Sequence, residues 1–137
     1  MPTNTAATNA REYQTHQLHY LRKTVNFNDS GIATGVKMTH PLPKGAMIVH
    51  ATARIATAFN SAGTNRLVVG TNSSSFNNVM TSTTAAASTT GGKQSVIGAA
   101  LSFTQDTDVY IKYTAATGTA ATTGVADIVV AYTVDDV

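Results

Sequence analysis

The sequence predicts an all-β protein: a single-domain β-sandwich or jelly roll of about seven or eight antiparallel strands with a polar N-terminal arm. In several segments apolar residues recur at every second position, the period of a strand with one buried face. Gly, Asn, Pro and Thr turns separate these segments, and no convincing amphipathic helix interrupts them. Because 137 residues fit one domain, we assign residues 1–16 to the arm and 17–137 to the sandwich.

The clearest strand is predicted for residues 46–59, where apolar and polar positions alternate. One face is expected to carry Met47, Val49, Ala51, Ala53, Ile55 and Phe59, and the other Ile48, His50, Thr52 and Arg54. Residues 65–71 follow a turn and are predicted to pair with this strand. Residues 108–114 and 125–134 alternate in the same way and are predicted to form an antiparallel hairpin.

Weaker patterns predict the remaining elements. A period of two begins at Leu18 and includes Val25 and Phe27, and further short strands are expected over 32–38 and 95–103. Residues 72–93 are the least patterned and are predicted to form a long loop. Three consecutive alanines, Ala85 to Ala87, allow one helical turn within that loop.

Composition and charge exclude several kinds of partner and chemistry. Only 12% of the residues are charged, about half the usual share, which suits a surface that packs against other proteins without desolvating many ions. The net charge of +2 comes without a Lys/Arg stripe, so we expect no direct nucleic-acid binding. The absence of cysteine excludes disulfides and thiolate chemistry. No apolar run approaches a membrane span.

A search for catalytic or metal-binding groups finds no convincing constellation. His16 and His19 have the spacing of one helical face, but no third ligand accompanies them, so we interpret them as polar residues at a strand entry. Asp106 and Asp108 supply too few oxygens for calcium and are interpreted as a turn. No G-x-S-x-G motif or complete phosphate loop is present. We therefore predict a protein that is not an enzyme and has no catalytic residue, metal or cofactor.

Five stretches together carry a resemblance to a known class of protein. They are 24–36 (TVNFNDSGIATGV), 42–46 (LPKGA), 57–65 (TAFNSAGTN), 67–71 (LVVGT) and 126–133 (ADIVVAYT). In the sequences of these short stretches and in their order along the chain, they resemble the capsid cement, or decoration, proteins of tailed bacteriophages, over roughly residues 20–134. The resemblance implies a jelly roll on the outside of a phage head that links neighbouring capsid subunits. It carries no family-wide functional residues with it.

The partners implied by this resemblance are the major capsid protein and further copies of the chain, as a homodimer or trimer at a symmetry axis. The expected location is the outer surface of the virion. Because the chain begins Met1-Pro2-Thr3-Asn4 without an apolar run, we expect no signal peptide and synthesis in the host bacterial cytoplasm. The candidate interface residues are Arg11, Tyr13, His16, His19, His50 and Arg54.

Two other hypotheses remain at this stage. Jelly rolls also serve as lectins, so the chain could be a carbohydrate-binding module of a phage tail or fibre. An exposed aromatic cluster near the 72–93 loop would favour that hypothesis, and Phe76 is the one aromatic residue there. An unrelated β-sandwich or small enzyme is the third hypothesis, which convergent acids or histidines in a pocket would favour.

Overall fold

The structure, a computed structural model, describes residues 18–72, 74–96, 102–115 and 120–134. The predicted arm, residues 1–16, lies outside these ranges. Within them the elements are β1 (His19–Asn26), β2 (Val36–Lys37), β3 (Ala46–Thr57), β4 (Arg66–Gly70), α1 (Ser82–Ala85), β5 (Gly91–Val96), β6 (Tyr110–Thr114) and β7 (Val125–Val134).

The strands form two antiparallel sheets. The four-stranded sheet has the order β1-β7-β3-β5, and the three-stranded sheet has the order β2-β6-β4. Each strand lies in the opposite sheet from the strand before it, so the chain crosses the sandwich at every connection. Met80 forms an isolated bridge to Val69 and extends the three-stranded sheet beyond β4. This wrapping is that of a jelly roll, and the prediction of an all-β sandwich is confirmed.

Two predicted strand pairings are wrong. Residues 65–71 do not pair with the long strand, because β4 pairs with β6 in the other sheet. Residues 108–114 and 125–134 do not form a hairpin, because β7 lies between β1 and β3. Alternation of apolar residues indicates which face of a strand is buried, but not which strand lies beside it. In a jelly roll, strands that are adjacent in sequence are separated by the core.

The predicted faces of β3 are correct only after its first bulge. The pairing of β3 with β7 shifts between Ile48 and His50, so Val49 is an extra residue. Ala46 and Ile48 are buried before the bulge, and Ala51, Ala53 and Ile55 after it. Met47 and Val49, which the alternation placed on the core face, are each 43% exposed. The extra residue reverses the parity of the strand, which a period-two pattern cannot show.

Other element boundaries differ from the predicted ones. In the 32–38 region only Val36–Lys37 pairs as a strand, because hydrogen bonds from Ile32 N to Asp29 O and from Gly35 N to Gly31 O form turns before it. Strand β5 begins at Gly91, earlier than predicted, and residues 97–101 of the predicted 95–103 strand lie outside the described ranges. The one helical turn in this loop, α1, lies mostly before the alanines that were expected to allow it: Ala85 is its last residue, and Ala86 is its left-handed C-cap.

The core between the sheets is filled by large apolar side chains. The largest of the fully buried side chains are Phe59, Met38, Leu42, Ile55, Leu67, Met80, Ile111 and Ile128. The Phe59 ring packs against Tyr113 with 4.5 Å between ring centroids. Gly124 also lies against this ring, and a Cβ there would come within 2.4 Å of Phe59 Cδ2. The glycine therefore leaves room for the largest buried ring.

A buried polar cluster fixes the loop that follows β3. The Asn65 side-chain oxygen accepts hydrogen bonds from Ser61 N at 3.1 Å, Ser61 Oγ at 2.7 Å and Tyr113 Oη at 2.5 Å. Nearby, Asn60 Oδ1 accepts from the backbone N–H groups of Thr122 and Thr123. Because buried polar groups without partners are costly, these bonds hold the loop in one conformation. The stretch 57–65 therefore has a structural role of its own.

The bulge in β3 predicts opposite effects for two single-residue deletions. Deleting Val49 keeps Ile48 inward and Ala51 inward, so the protein should fold and lose no more than about 1 kcal/mol of unfolding free energy. Deleting Thr52 turns Ala53 and Ile55 outward, up to the second pairing shift after Ile55, and should cost at least about 3 kcal/mol. Thermal and urea unfolding of both variants measures the difference. Equal loss of stability in the two variants would contradict the assigned register.

Candidate protein-interaction surface

The outer face of the four-stranded sheet is organised in rows by the strand register. One row runs across Tyr20, Ala131 and His50, and the next across Arg22, Val129 and Thr52. A third runs across Thr24, Asp127 and Arg54. Because side chains alternate along each strand, these residues share the face that points away from the core. The face is apolar at one end and charged at the other.

The apolar end carries the large hydrophobic side chains that are exposed in the described part of the chain. These side chains are Leu18 (39% exposed), Tyr20 (58%), Met47 (43%) and Val49 (43%), and we call them the apolar patch. Tyr20 lies on β1 and Met47 and Val49 lie on β3, while the intervening strand β7 presents only the small Ala131 and Thr133. A group of exposed apolar side chains at one end of a sheet face marks a candidate interaction surface.

The β3 bulge is what places Val49 in the apolar patch. Ile48 and Ala51 both point into the core, so the two residues between them, Val49 and His50, both lie on the outer side. In a regular strand only one residue would occupy this space. The extra residue therefore adds apolar area where a sheet facing water would carry polar side chains.

The charged end of the face is held by a two-point ion pair. Arg22 Nε lies 3.2 Å from Asp127 Oδ1, and Arg22 Nη2 lies 2.5 Å from Asp127 Oδ2. Asp127 is only 9% exposed, and Thr24 Oγ1 also donates to its Oδ1 at 3.4 Å. The hydrogen bond, and then the charge of Asp127, raise the pKa of the Arg22 guanidinium. Because two guanidinium nitrogens each bind one carboxylate oxygen, the Arg22 side chain is held in one orientation between β1 and β7. Arg54 lies opposite Asp127 in the same row.

The structure brings some of the predicted interface residues together and separates others. His50 and Arg54 lie on the outer face, two positions on either side of Thr52. His19 lies on the opposite side of β1, stacked on Tyr132 with 5.5 Å between ring centroids. Arg11, Tyr13 and His16 lie outside the described residues. Their role as interface residues stays a prediction.

Sequence reasoning missed the most exposed members of this surface. Tyr20 is not among the candidate interface residues predicted from the sequence, and Met47 and Val49 were predicted to share the core face with Ala51. For β1 the sequence does contain a signal of exposure. Leu18 and Tyr20 are two residues apart and so share one face of the strand, whereas Leu21, on the other face, is buried. No comparable signal existed for β3, because the bulge depends on its pairing with β7.

His50 has an unusual environment beside the apolar patch. Its Nδ1 atom is buried and has no hydrogen-bond partner among the described residues. An unpaired buried polar atom is costly unless another group reaches it. His50 follows Val49 of the apolar patch directly in β3, so this unpaired atom lies close to the exposed apolar side chains.

The acidic and histidine residues that the sequence raised as metal candidates do not cluster. In the described ranges no group of three His, Cys, Asp or Glu side chains is close enough to hold a metal ion. Asp106 Oδ1 accepts from Lys44 N at 2.9 Å, while Asp108 lies 3.8 Å from Lys37 Nζ. Neighbouring acids thus have separate partners. A helix long and apolar enough to cross a bilayer is not found among the described residues.

Solved structures with the same fold come from bacteriophage capsids. A chain of the cyanophage Pam1 capsid asymmetric unit is 23% identical, with a TM-score of 0.64, over 87% of this chain and 86% of that chain. A chain of the acid-stable capsid structure of Helicobacter pylori bacteriophage KHP30 is 17% identical, with a TM-score of 0.56, over 85% and 87%. No protein-family model and no curated protein matches the sequence. The chain therefore shares its jelly-roll fold, along most of its length, with chains of two phage capsid structures.

Proposed function

We propose that this chain is a structural virion protein that binds the outside of a bacteriophage head and cements adjacent major capsid protein subunits. The observation that carries the proposal is the likeness, over most of both chains, to chains from two phage capsid structures. The phrases that resemble cement proteins support it independently of the fold. The particular member that the phrases resemble, the cement protein of a Bordetella phage, stays a prediction.

The outer face of the four-stranded sheet is the surface that we assign to the capsid. Its apolar patch supplies area to bury, and Arg22, Asp127 and Arg54 supply charge that fixes orientation. Burial of apolar area drives association, and complementary charges mainly select the partner. Each contact can be weak, because many subunits bound to one shell resist its expansion collectively. The internal pressure of packaged DNA is the load that such linkage opposes.

Self-association belongs to the same proposal. Shells are built on symmetry axes, so copies of the chain would meet as a homodimer or trimer about such an axis. Residues 1–16 would extend across a neighbouring subunit as a polar arm. They precede Leu18, so the arm would leave the domain beside the apolar patch.

The alternative of a carbohydrate-binding tail or fibre module has less support. Sugar sites commonly stack a ring of the ligand on an exposed aromatic side chain. Phe76, the aromatic residue of the 72–93 loop, is only 9% exposed and stacks on Tyr110 with 4.5 Å between ring centroids. Its aromatic surface is therefore used inside the protein.

The apolar patch predicts which substitutions weaken capsid binding. The double variant Tyr20→Ser, Met47→Ser should bind heads at least about tenfold more weakly, since truncation of central apolar contacts typically costs more than about 1 kcal/mol each. The matched control Tyr20→Phe, Met47→Leu keeps the apolar area and should bind like the original protein. Co-sedimentation with empty shells of the major capsid protein measures both. Equal binding by the serine variant would contradict the assigned surface.

The cement function predicts a change in head stability. Filled heads that carry the protein should release DNA at a higher temperature than heads without it, because bound subunits oppose separation of the capsomers. A nucleic-acid dye that detects released DNA during heating gives the release temperature. Equal release temperatures would contradict the cement function, because the protein would then bind shells without stabilising them.

The arm predicts a separable contribution to binding. Deleting residues 1–15 should leave thermal unfolding of the domain unchanged and lower its occupancy on expanded heads. A variant with the same fifteen residues in scrambled order controls for length and composition. Undiminished occupancy of the deletion variant would show that the arm does not bind the capsid.

A further inference from the structure

A polar pocket lies on the outer face of the three-stranded sheet, on the side of the sandwich opposite the apolar patch. Leu67 and Val69 of β4 point into the core, so Arg66 and Val68 point outward. On β6 the same alternation turns Lys112 and Thr114 outward, with Arg66 opposite Thr114 and Val68 opposite Lys112. Together with the 74–77 loop and Ser82 of α1 they enclose about 290 Å³.

The loop wall of this pocket is held by a ladder of asparagine side chains. Asn72 Oδ1 accepts from Asn77 N at 2.9 Å, and Asn78 Oδ1 accepts from Thr71 N at 2.7 Å. Asn72 Nδ2 also donates to Asn77 Oδ1 at 3.0 Å. The wall therefore has one defined conformation before any ligand arrives, which lowers the entropic cost of binding.

The same loop contains backbone strain and packs closely against Gly70 of β4. Ser74 and Phe76 have φ values of +62° and +46°, which cost energy for residues other than glycine. At Gly70 a Cβ would come within 2.4 Å of Asn78 Oδ1 and 2.5 Å of the Phe76 carbonyl carbon. The loop therefore packs directly on the sheet, with the Phe76 backbone against Gly70 and the Ser74 carbonyl beside Lys112. Strain of this kind is more common at binding sites than elsewhere.

Among the described residues, no carboxylate balances the positive charge of the pocket. Lys112 Nζ donates to the backbone oxygen of Ser74 at 3.1 Å and keeps two further donors. Arg66 makes no ion pair with any described residue. The four carboxylates in the described ranges all have partners elsewhere: Asp29, Asp106, Asp108 and Asp127. Two cations therefore face one polar cavity lined by hydroxyl and amide groups.

We infer that this pocket binds a carboxylate side chain of an acidic peptide segment on a partner protein. The planar guanidinium of Arg66 suits a carboxylate, and Lys112 supplies a second positive charge diagonally across the sheet. Ser75, Asn77 and Thr114 add neutral hydrogen-bonding groups. The choice of a protein partner rests on the proposed function, whereas the preference for an anion rests on the pocket alone.

Other anionic ligands fit the site less well. Neither Tyr110 nor Phe76 lines the pocket, so it has no aromatic platform for an acidic sugar. Nucleic acid requires a stripe of cations that follows its phosphates, and this pocket holds two. The pocket and the apolar patch lie on opposite outer faces of the sandwich. One subunit could therefore bind two neighbours at once, as a cement protein must.

Titration of the purified full-length chain with a short peptide tests this inference without capsids. The probe is acetylated, amidated Gly-Glu-Glu-Gly, and the control peptide is the same with glutamine in place of glutamate. Nuclear magnetic resonance should show the amide signals of residues 74–77 shifting with the glutamate peptide, with at least fivefold weaker binding to Arg66→Gln. The matched control Arg54→Gln removes an arginine from the opposite face and should bind like the original protein.

Three outcomes would overturn the inference. They are equal shifts with the glutamine peptide, unchanged affinity of Arg66→Gln, or binding of inorganic phosphate without binding of the peptide. Arg66 is exposed, so its replacement should leave thermal unfolding unchanged. Arg66→Lys keeps the positive charge but loses the planar guanidinium, so its affinity for the glutamate peptide should lie between those of the original protein and Arg66→Gln. Because no heads are present, failure of capsid binding would leave this result intact.

Discussion

The extra residue in β3 determines how this central strand divides its side chains between core and surface. Before Val49 the even-numbered residues are buried, and after His50 the odd-numbered ones are. β3 lies between β7 and β5, and its neighbour β7 keeps one parity past the bulge, with Ala126, Ile128 and Val130 buried. The change of parity in β3 lets Ala51, Ala53 and Ile55 fill the core while Met47 and Val49 remain exposed. The apolar patch is thus a consequence of backbone geometry as well as composition.

The sequence was sufficient for the fold class because most strands keep one parity from end to end. Val109, directly before β6, and Ile111 and Tyr113 within it are all buried, as the alternation predicts. It was insufficient for strand partners, since the jelly roll sends each successive strand to the opposite sheet. Local patterns report burial, whereas pairing depends on the path of the whole chain. The buried cluster around Asn65 was missed for the same reason, because its partner Tyr113 is 48 residues away.

The candidate surface was predicted in part. His50 and Arg54 were selected from the polar face of β3, and both lie on the outer face beside the residues now assigned to binding. Tyr20, Met47 and Val49 were not selected, because an exposed apolar residue in a strand looks like a core residue in sequence. The pocket at Arg66 and Lys112 depends on loop 74–77 folding back over the sheet. That fold-back depends on side-chain bonds among three asparagines, which alternation of apolar residues does not report.

The two outer faces of the sandwich have different chemistry, and this difference is central to the proposed role. One face offers apolar area with a fixed ion pair, and the other offers a preformed cationic pocket. A rigid domain with two unlike surfaces can hold two neighbours in a defined geometry. Such a bridge reinforces a shell only if both neighbours are capsid components.

A cryo-electron microscopy map of phage heads decorated with this protein tests the central claim most directly. The account predicts density on the outside of the head in which the face of the four-stranded sheet lies against capsid subunits and Tyr20 and Met47 are buried. Density that leaves this face exposed to solvent, or heads that bind no protein at saturating concentration, would contradict it.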